Sequence, residues 1–321
     1  MPSPTPSDLH VDGLLTNISI GYLQSAANFV ADRVFPRVPV QKQSDKYATF
    51  DRGDFFRDEM EQRGLASESA GIGYSVSNDN YQCEDWALHI DVDDRQVANA
   101  DTPFAPRQNA AQVLTQKELI KREREWAAAF FGTGVWGTDW TAGSDFTAFD
   151  DDASDVIETF ADAAEIIEDG TGLMPNTLVT SRKGFHALKN HPDIVARIVA
   201  GGSASAPATV SQDAVAAVLG LDRILVAGGV YNTAGRGETA SMSRIVGNHA
   251  LLCHVAPTPG LMTPTAGLTF VWSGYIGSVE GRRILRYRIE ERHAERVEIE
   301  ANWDQKVVAP ELGLFMSNVA A

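Results

Sequence analysis

Cysteine is almost missing from this 321-residue chain: Cys83 and Cys253 are the only two, far apart in sequence and without ligand spacing. A disulfide framework and a zinc site are therefore not expected, and both thiols are expected to be free and buried. No apolar run is long enough to cross a bilayer, and the first residues lack a basic stretch leading into an apolar core. Neither a membrane span nor a secretory signal is expected, which points to folding in a cytoplasm. Positive charge is also scarce, with 27 Lys and Arg against 43 Asp and Glu, a net charge of −16. Such a chain has no long-range attraction to a phosphate backbone, so a DNA-reading role is disfavoured, although an acidic surface suits a protein that must lie beside a polyanion without sticking to it.

Chemical signatures are missing too. No GxxxxGK[ST] loop, GxSxG elbow or HExxH helix occurs. Gly132, Gly134 and Gly137 match GxGxxG, but the string follows a helical pattern, whereas a dinucleotide site needs a strand before it and a helix start after it. His89, Asp91 and Asp93 would share one strand face, where three ligands in a row converge poorly on a cation; a solvated strand edge or an intersubunit contact is the simpler reading. His249 and His254 would point to opposite faces of a strand, and His186 and His191 straddle a helix end, so all four read as packing residues. The arginines of 282–296 are interleaved with Glu290, Glu291, Glu295, Glu298 and Glu300, which favours cross-strand ion pairing over a nucleic-acid patch. No catalytic, cofactor-binding or metal-ligating residue is assigned. An enzyme built on the glycine-rich loops 201–208 or 232–240 is the remaining chemical alternative, and it lacks a convergent acid, base and nucleophile.

What is present is a folded-protein composition, 44% hydrophobic and 22% charged, in a chain long enough to bury roughly three quarters of its unfolded surface. Residues 42–68 stand apart, with seven acidic and five basic residues among Tyr47, Phe50, Phe55 and Phe56. A segment this poor in large apolar side chains cannot offset its ordering entropy by burial in itself, and its rings argue for a neighbour that orders it. An ordinary long surface loop is the plain alternative.

Around it, 1–8 reads as a flexible arm, 17–29 as helix-compatible, 34–40 with two prolines as extended, and 74–94 as strand. The clearest helix is predicted over 109–131, roughly 35 Å long, with Val113, Leu119, Ile120, Trp126, Ala127, Phe130 and Phe131 on an apolar side. Its other side carries charge, including Glu118 and Arg122 at i, i+4 with Lys117, Lys121 and Glu125, and Gly132 ends it. A composition shift near 150 marks a boundary. Beyond it the pattern alternates helix and strand: a helix over 154–169 closed by Gly170, a strand over 176–181, a helix capped by Ser181 and broken at His191-Pro192, a short helix, a mobile loop at 201–208, and a helix capped by Ser211. Strands follow at 223–231, 244–255, 268–277 and in the charged tail.

The order of these pieces, VFPRVPV, QSDKYATFDRGDFFRDE with RGLASES, the NAD step at 99–101, WAAAFFGTGVWG, PNTLVTSRKGFHALKNHPDIVARI, LGLDRILVAGGVYN and IVGNHALLCHV, resembles the major capsid proteins of tailed bacteriophages over about 14–308. The resemblance implies an α+β fold with an N-terminal arm (1–40), an extended loop (41–75), a peripheral domain (76–150) with a spine helix over 109–131, an axial domain (151–273) and return strands (274–321). It implies a structural subunit, not an enzyme, without cofactors, that assembles with itself into hexamers and pentamers enclosing packaged double-stranded DNA without sequence-specific binding. A separate scaffolding protein, a portal protein and a decoration protein are the implied partners, with no membrane; the implied location is the virion capsid, assembled in the host cytoplasm. The extended-loop residues that would touch a neighbour are Lys46, Tyr47, Phe50, Phe55, Phe56, Arg57, Glu59 and Arg63, with Glu118, Arg122 and Trp126 on the spine. Some relatives cross-link a loop lysine; Lys42 and Lys46 are the lysines here, and no such linkage is expected. An encapsulin-like shell, which shares the fold, is the alternative.

Overall fold

The computed structural model describes residues 23–100, 104–200, 210–278 and 280–320. The arm expected at 1–8, the start of the segment 17–29, Asp101 and the loop at 201–208 lie outside the described residues.

Helix α1 (Ala31–Val34) leads into strand β1 (Arg37–Val40), held extended by Pro36 and Pro39 and placed at a sheet edge, where the missing N–H of Pro39 breaks no ladder. Strand β2 (Ser44–Phe50), the single turn α2 (Arg52–Phe55) and strand β3 (Val76–Gln82) form an isolated antiparallel ribbon, in register from Ser44↔Gln82 to Phe50↔Val76. The return strand of this hairpin therefore runs past the boundary expected at 75. Then come β4 (Glu84–Asp93), α3 (Asp94–Ala98), the long α4 (Pro106–Phe130) and β5 (Thr138–Thr141). Helix α4 begins three residues earlier than predicted, because Pro106 sits at the first helical position, where its missing N–H has no partner to lose.

Next follow α5 (Val156–Thr171), β6 (Thr177–Ser181), α6 (Arg182–Asn190), α7 (Pro192–Ala200), α8 (Gln212–Val218), β7 (Arg223–Ala227), β8 (Val230–Asn232), β9 (Met242–Arg244) and β10 (Ala250–Cys253). Ser181 and Ser211 cap α6 and α8 through their hydroxyls, as their positions in the sequence predict. The cap of α5 is Gly172, not Gly170: Gly172 takes the left-handed conformation (φ 69°) and its N–H reaches the Glu168 carbonyl at 2.6 Å. The chain closes with β11 (Gly267–Trp272), α9 (Ser273–Ile276), β12 (Arg282–Ile289), β13 (Ala294–Val307) and β14 (Gly313–Ser317).

Two five-stranded sheets organise the body. The first runs β1-β11-β13-β12 with β4 also paired to the long β13; the second runs β5-β14-β10-β6-β7. Strands β5 and β14 thus join the second sheet from outside 151–273, so its boundaries are not those of a continuous segment. In the second sheet both faces are buried, and period-two alternation sorts them. Leu178, Leu252, Leu314 and Met316 pack with Phe160 and Ile167 of α5 and Leu188 of α6. Val179, Leu251, Cys253 and Phe315 face the other way, onto Trp126 and Phe130. Helix α4 spans both sheets: Ala110 and Leu114 pack on Val92, Val297 and Ile299 of the first, Trp126 and Phe130 on the second. At 25 residues it is about 37 Å long, enough to act as a common beam.

Gly313 opens β14 under the ring of Trp136, where a Cβ would lie 2.2 Å from Cε3, while Gly71 in the hairpin has open space around it. Gly313→Ala is expected to lower stability by about 2–3 kcal/mol by forcing ring and backbone apart. Gly71→Ala should change it by less than about 0.5 kcal/mol. Urea unfolding of both variants checks this, and equal midpoints would contradict the packing described.

Candidate assembly surface

The β2–β3 ribbon is rooted in the first sheet through aromatic packing. Tyr81 stacks on Phe270 with ring centroids 4.7 Å apart, Tyr47 lies 5.3 Å from the same ring, and buried Cys83 completes the cluster with Val38, Val40 and Trp272. The Tyr47 hydroxyl donates to Asp79 across the ribbon at 2.7 Å, and burial together with that carboxylate raises its pKa. The Cys83 thiol is pushed up to about 12 by burial, which makes it an inert packing group.

Beyond the root the ribbon meets the body at the end of α5, where Arg52 and Phe56 touch Gly170 and Gly172. Asp54 accepts from the Ser75 amide at 2.8 Å and from its hydroxyl, closing the ribbon's neck, and these bonds hold the Asp54 carboxyl below the usual carboxylate range. Phe50, Phe55 and Tyr74 form a small ring cluster there, with centroids 6.0–6.2 Å apart. Further out, Arg63 Nε donates to the Ser67 carbonyl and Ser67 closes onto the Gly64 carbonyl, with Ala66 in the left-handed region (φ 60°). That turn presents Leu65 at its apex, 105% exposed, beside Met60 at 96% and Ile72 at 74%. Large apolar side chains this bare, on one projecting element, are the mark of an interaction site.

The loop residues singled out from sequence divide accordingly. Phe55, Phe56, Arg57, Arg63 and Lys46 are exposed; Glu59 and Phe50 are half-buried; Tyr47 is packed against its own body. Arg57 pairs with Asp54 at 3.3 Å and Glu59 at 3.7 Å. Met60, Leu65 and Ile72, among the barest apolar residues described, are not among those singled out from sequence, although a lone apolar residue in a polar, glycine-containing stretch is a readable signal.

The spine corrects a sequence expectation. Glu118 and Arg122 do not form a solvated face: they are 6% and 2% exposed, Glu123 is fully buried, and Val113, expected on the apolar side, is 42% exposed. The reason is that α4 is covered from a further side by the segment before β1. Arg122 reaches Asp32 at 2.6 Å and the Glu280 carbonyl at 3.3 Å, and its guanidinium lies 4.6 Å from the ring of Trp303. Glu118 sits 3.0 Å from Arg122 without hydrogen-bond alignment and 3.3 Å from Arg282. Glu123 accepts the amides of Val30 and Ala31 at 2.8–3.1 Å, the free donors at the start of α1. Trp126 is wholly buried. These residues therefore join three parts of one chain.

The charged strands pair among themselves, as the sequence suggested. Arg283 meets Glu300 at 2.6 Å, Arg286 meets Glu295, and Asp91 is held by Arg296 at 2.6 Å and Arg292 at 2.9 Å. Asp93 caps α3, so the face with His89 is committed to structure. Among the described residues no group of three or more His, Cys, Asp or Glu is placed to hold a metal. Gly132 to Gly137 is a turn leading into β5, without a helix start after it. His191 is buried, 3.0 Å from the Ser154 hydroxyl, and the His249 Nδ1 accepts the Asn318 amide.

Beside this geometry, a two-sheet body bridged by one long helix with an outstretched ribbon, stand likenesses to known proteins. The chain is 28% identical over 318 residues to the major capsid protein of Pseudomonas phage JBD67, covering 97% of both chains. It is 26% identical over 226 residues to that of Burkholderia phage BcepMu, covering 69% of this chain and 70% of the other. The chain is a homologue of phage major capsid proteins. Among solved structures, the capsid of cyanophage P-SCSP1u aligns over 97% of this chain and 93% of its own with a TM-score of 0.62 at 11% identity. The SrpI encapsulin of Synechococcus elongatus aligns over 95% and 94% with a TM-score of 0.52 at 10% identity. No family model matches.

The buried spine carboxylate gives a pH test. Burial pushes Glu123 up to about 7, with Asp32 adding to the rise, while the two amides and Arg33 pull it down. The folded chain therefore binds this proton more tightly than the unfolded chain, and stability drops as pH climbs from the ordinary glutamate range through about 7. Glu123→Gln removes that dependence. Relative to the parent, the variant is expected to gain about 2 kcal/mol between pH 5 and pH 8 in urea titrations; an offset that stays constant with pH would contradict it.

Proposed function

We propose that this protein is the shell-forming subunit of an icosahedral phage head, with identical chains meeting as hexamers and pentamers around packaged double-stranded DNA. The observation that carries the reading is the ribbon: rooted by Tyr47, Tyr81 and Phe270, it exposes Phe56, Met60, Leu65 and Ile72 at its far end. Homology to two phage major capsid proteins supports a reading in which neighbouring copies cover such a ribbon. In this reading the first sheet with α4 and the ribbon is the peripheral part, and the second sheet with α5 to α8 is the axial part near the capsomer centre. Individual contacts are weak, and their sum over many copies closes the container.

The net charge of −16 fits a shell that lines DNA without binding it tightly. The role is structural and not catalytic, and a scaffolding protein, a portal and a decoration protein are the partners the reading calls for. An encapsulin-like compartment is the second reading, favoured by the likeness to SrpI. Particles isolated from the natural source would hold DNA in the first case and an enzyme in the second.

Replacing Phe55, Phe56 and Arg57 together with serine is expected to leave unfolding within about 0.5 kcal/mol of the parent, since all three are exposed. The same variant should lose most particle formation by electron microscopy and sedimentation. Normal particles from it would remove the ribbon from the assembly contact.

A further inference from the structure

The end of α5 is electrostatically unfinished. A helix C-terminus carries partial negative charge from its free carbonyls and is favoured by nearby cations. Here the last turn has Glu168 and Asp169 and no basic residue. The cation comes instead from the ribbon: Arg52 Nη1 donates to the Gly170 carbonyl at 2.5 Å, across 118 residues of sequence. Beside it the Phe56 ring rests over Gly172, with Cε1 and Cζ 3.8 Å from where a Cβ would stand. The contact leaves much unfinished on the ribbon side, because Phe56 is still 65% exposed and Phe55 52%.

We propose that the C-terminal end of α5 is the receptor for the neck of the ribbon, occupied by the chain's own Arg52 and Phe56 when it is alone and by those of a second copy once copies are joined. The inference rests on the shell reading above. Its physical basis is that the contact is portable. Donor and ring sit beyond the root formed by Tyr47, Tyr81 and Phe270, and the acceptor sits on the other sheet's helix, so bending of the ribbon past that root delivers the same bonds to a neighbour's α5. A contact made within one chain and the same contact made between chains have equal local chemistry, and the balance is set by the concentration of neighbours and by what else the ribbon covers. Inside a shell that concentration is high, and Met60 and Leu65, uncovered in the single chain, gain a surface. The self-contact thus shields the receptor of an isolated chain and yields it on assembly.

The test places a photoreactive benzophenone at the ring: Phe56→p-benzoylphenylalanine, in the full chain, made in light and heavy isotope forms and mixed before assembly. Irradiated as dispersed chains, it is expected to label 168–173 within the same chain; irradiated as particles, it should label 168–173 of the other isotope form as well. Particles giving only same-chain links, or links elsewhere, would overturn the proposal while leaving the shell reading intact. Failure of the parent chain to form particles under any condition would instead remove the shell reading, and the inference with it.

Discussion

A two-stranded ribbon cannot bury both its faces, and in this chain the body is arranged to hold such a ribbon out. Three or more strands, or a covering helix, are ordinarily needed for a sheet to stand alone. The β2–β3 ribbon has neither, and its hydrophobic anchor ends at the cluster of Tyr47, Tyr81 and Phe270. Order beyond that point comes from local devices: the Asp54–Ser75 neck, the ring cluster of Phe50, Phe55 and Tyr74, and the Arg52 contact at α5. Each is small. Together they leave an element whose free energy of ordering is completed by whatever covers Met60, Leu65 and Ile72.

The rest of the chain supplies rigidity. Helix α4 binds two sheets into one unit, packing Leu114 at one end and Trp126 and Phe130 at the other. Its middle, facing the segment before β1, is sealed by ions and not by hydrocarbon: Glu118, Arg122, Asp32 and Arg282 in one network, Glu123 on the amides of Val30 and Ala31 in another. Buried ions are costly to break singly, because each partner left behind keeps its desolvation penalty. They therefore fix the path of the N-terminal segment across the spine more sharply than an apolar contact of equal area, which tolerates sliding.

Much of this was legible in the sequence, for identifiable reasons. The helix caps at Ser181 and Ser211, the break at His191-Pro192 and the edge position of β1 follow from backbone chemistry that is local. The pairing of the tail arginines was readable because the arginine-rich β12 is followed at once by the glutamate-rich β13. The side of α4 was not. Periodicity places Glu118 and Arg122 opposite an apolar stripe, and nothing nearby in sequence reveals that Asp32 and Arg282, 90 and 164 residues away or nearly so, arrive to neutralise them. In the ribbon, aromatic residues drew attention, while Met60 and Leu65 were passed over, since a single apolar residue becomes notable only when a turn leaves it bare. The boundary near 75 cuts the β2–β3 hairpin, and those near 150 and 273 fail to enclose the second sheet because β5 and β14 join it from outside, by long-range pairing that composition cannot register.

The central claim, that the ribbon gains its order from another copy, is tested most directly by amide hydrogen exchange over β2 and β3 in dispersed chains and in purified particles. The account predicts fast exchange at Ser44–Phe50 and Val76–Gln82 in the single chain and strong slowing of the same amides in particles, with the second sheet protected in both. Equal protection of the ribbon in the two states would contradict it.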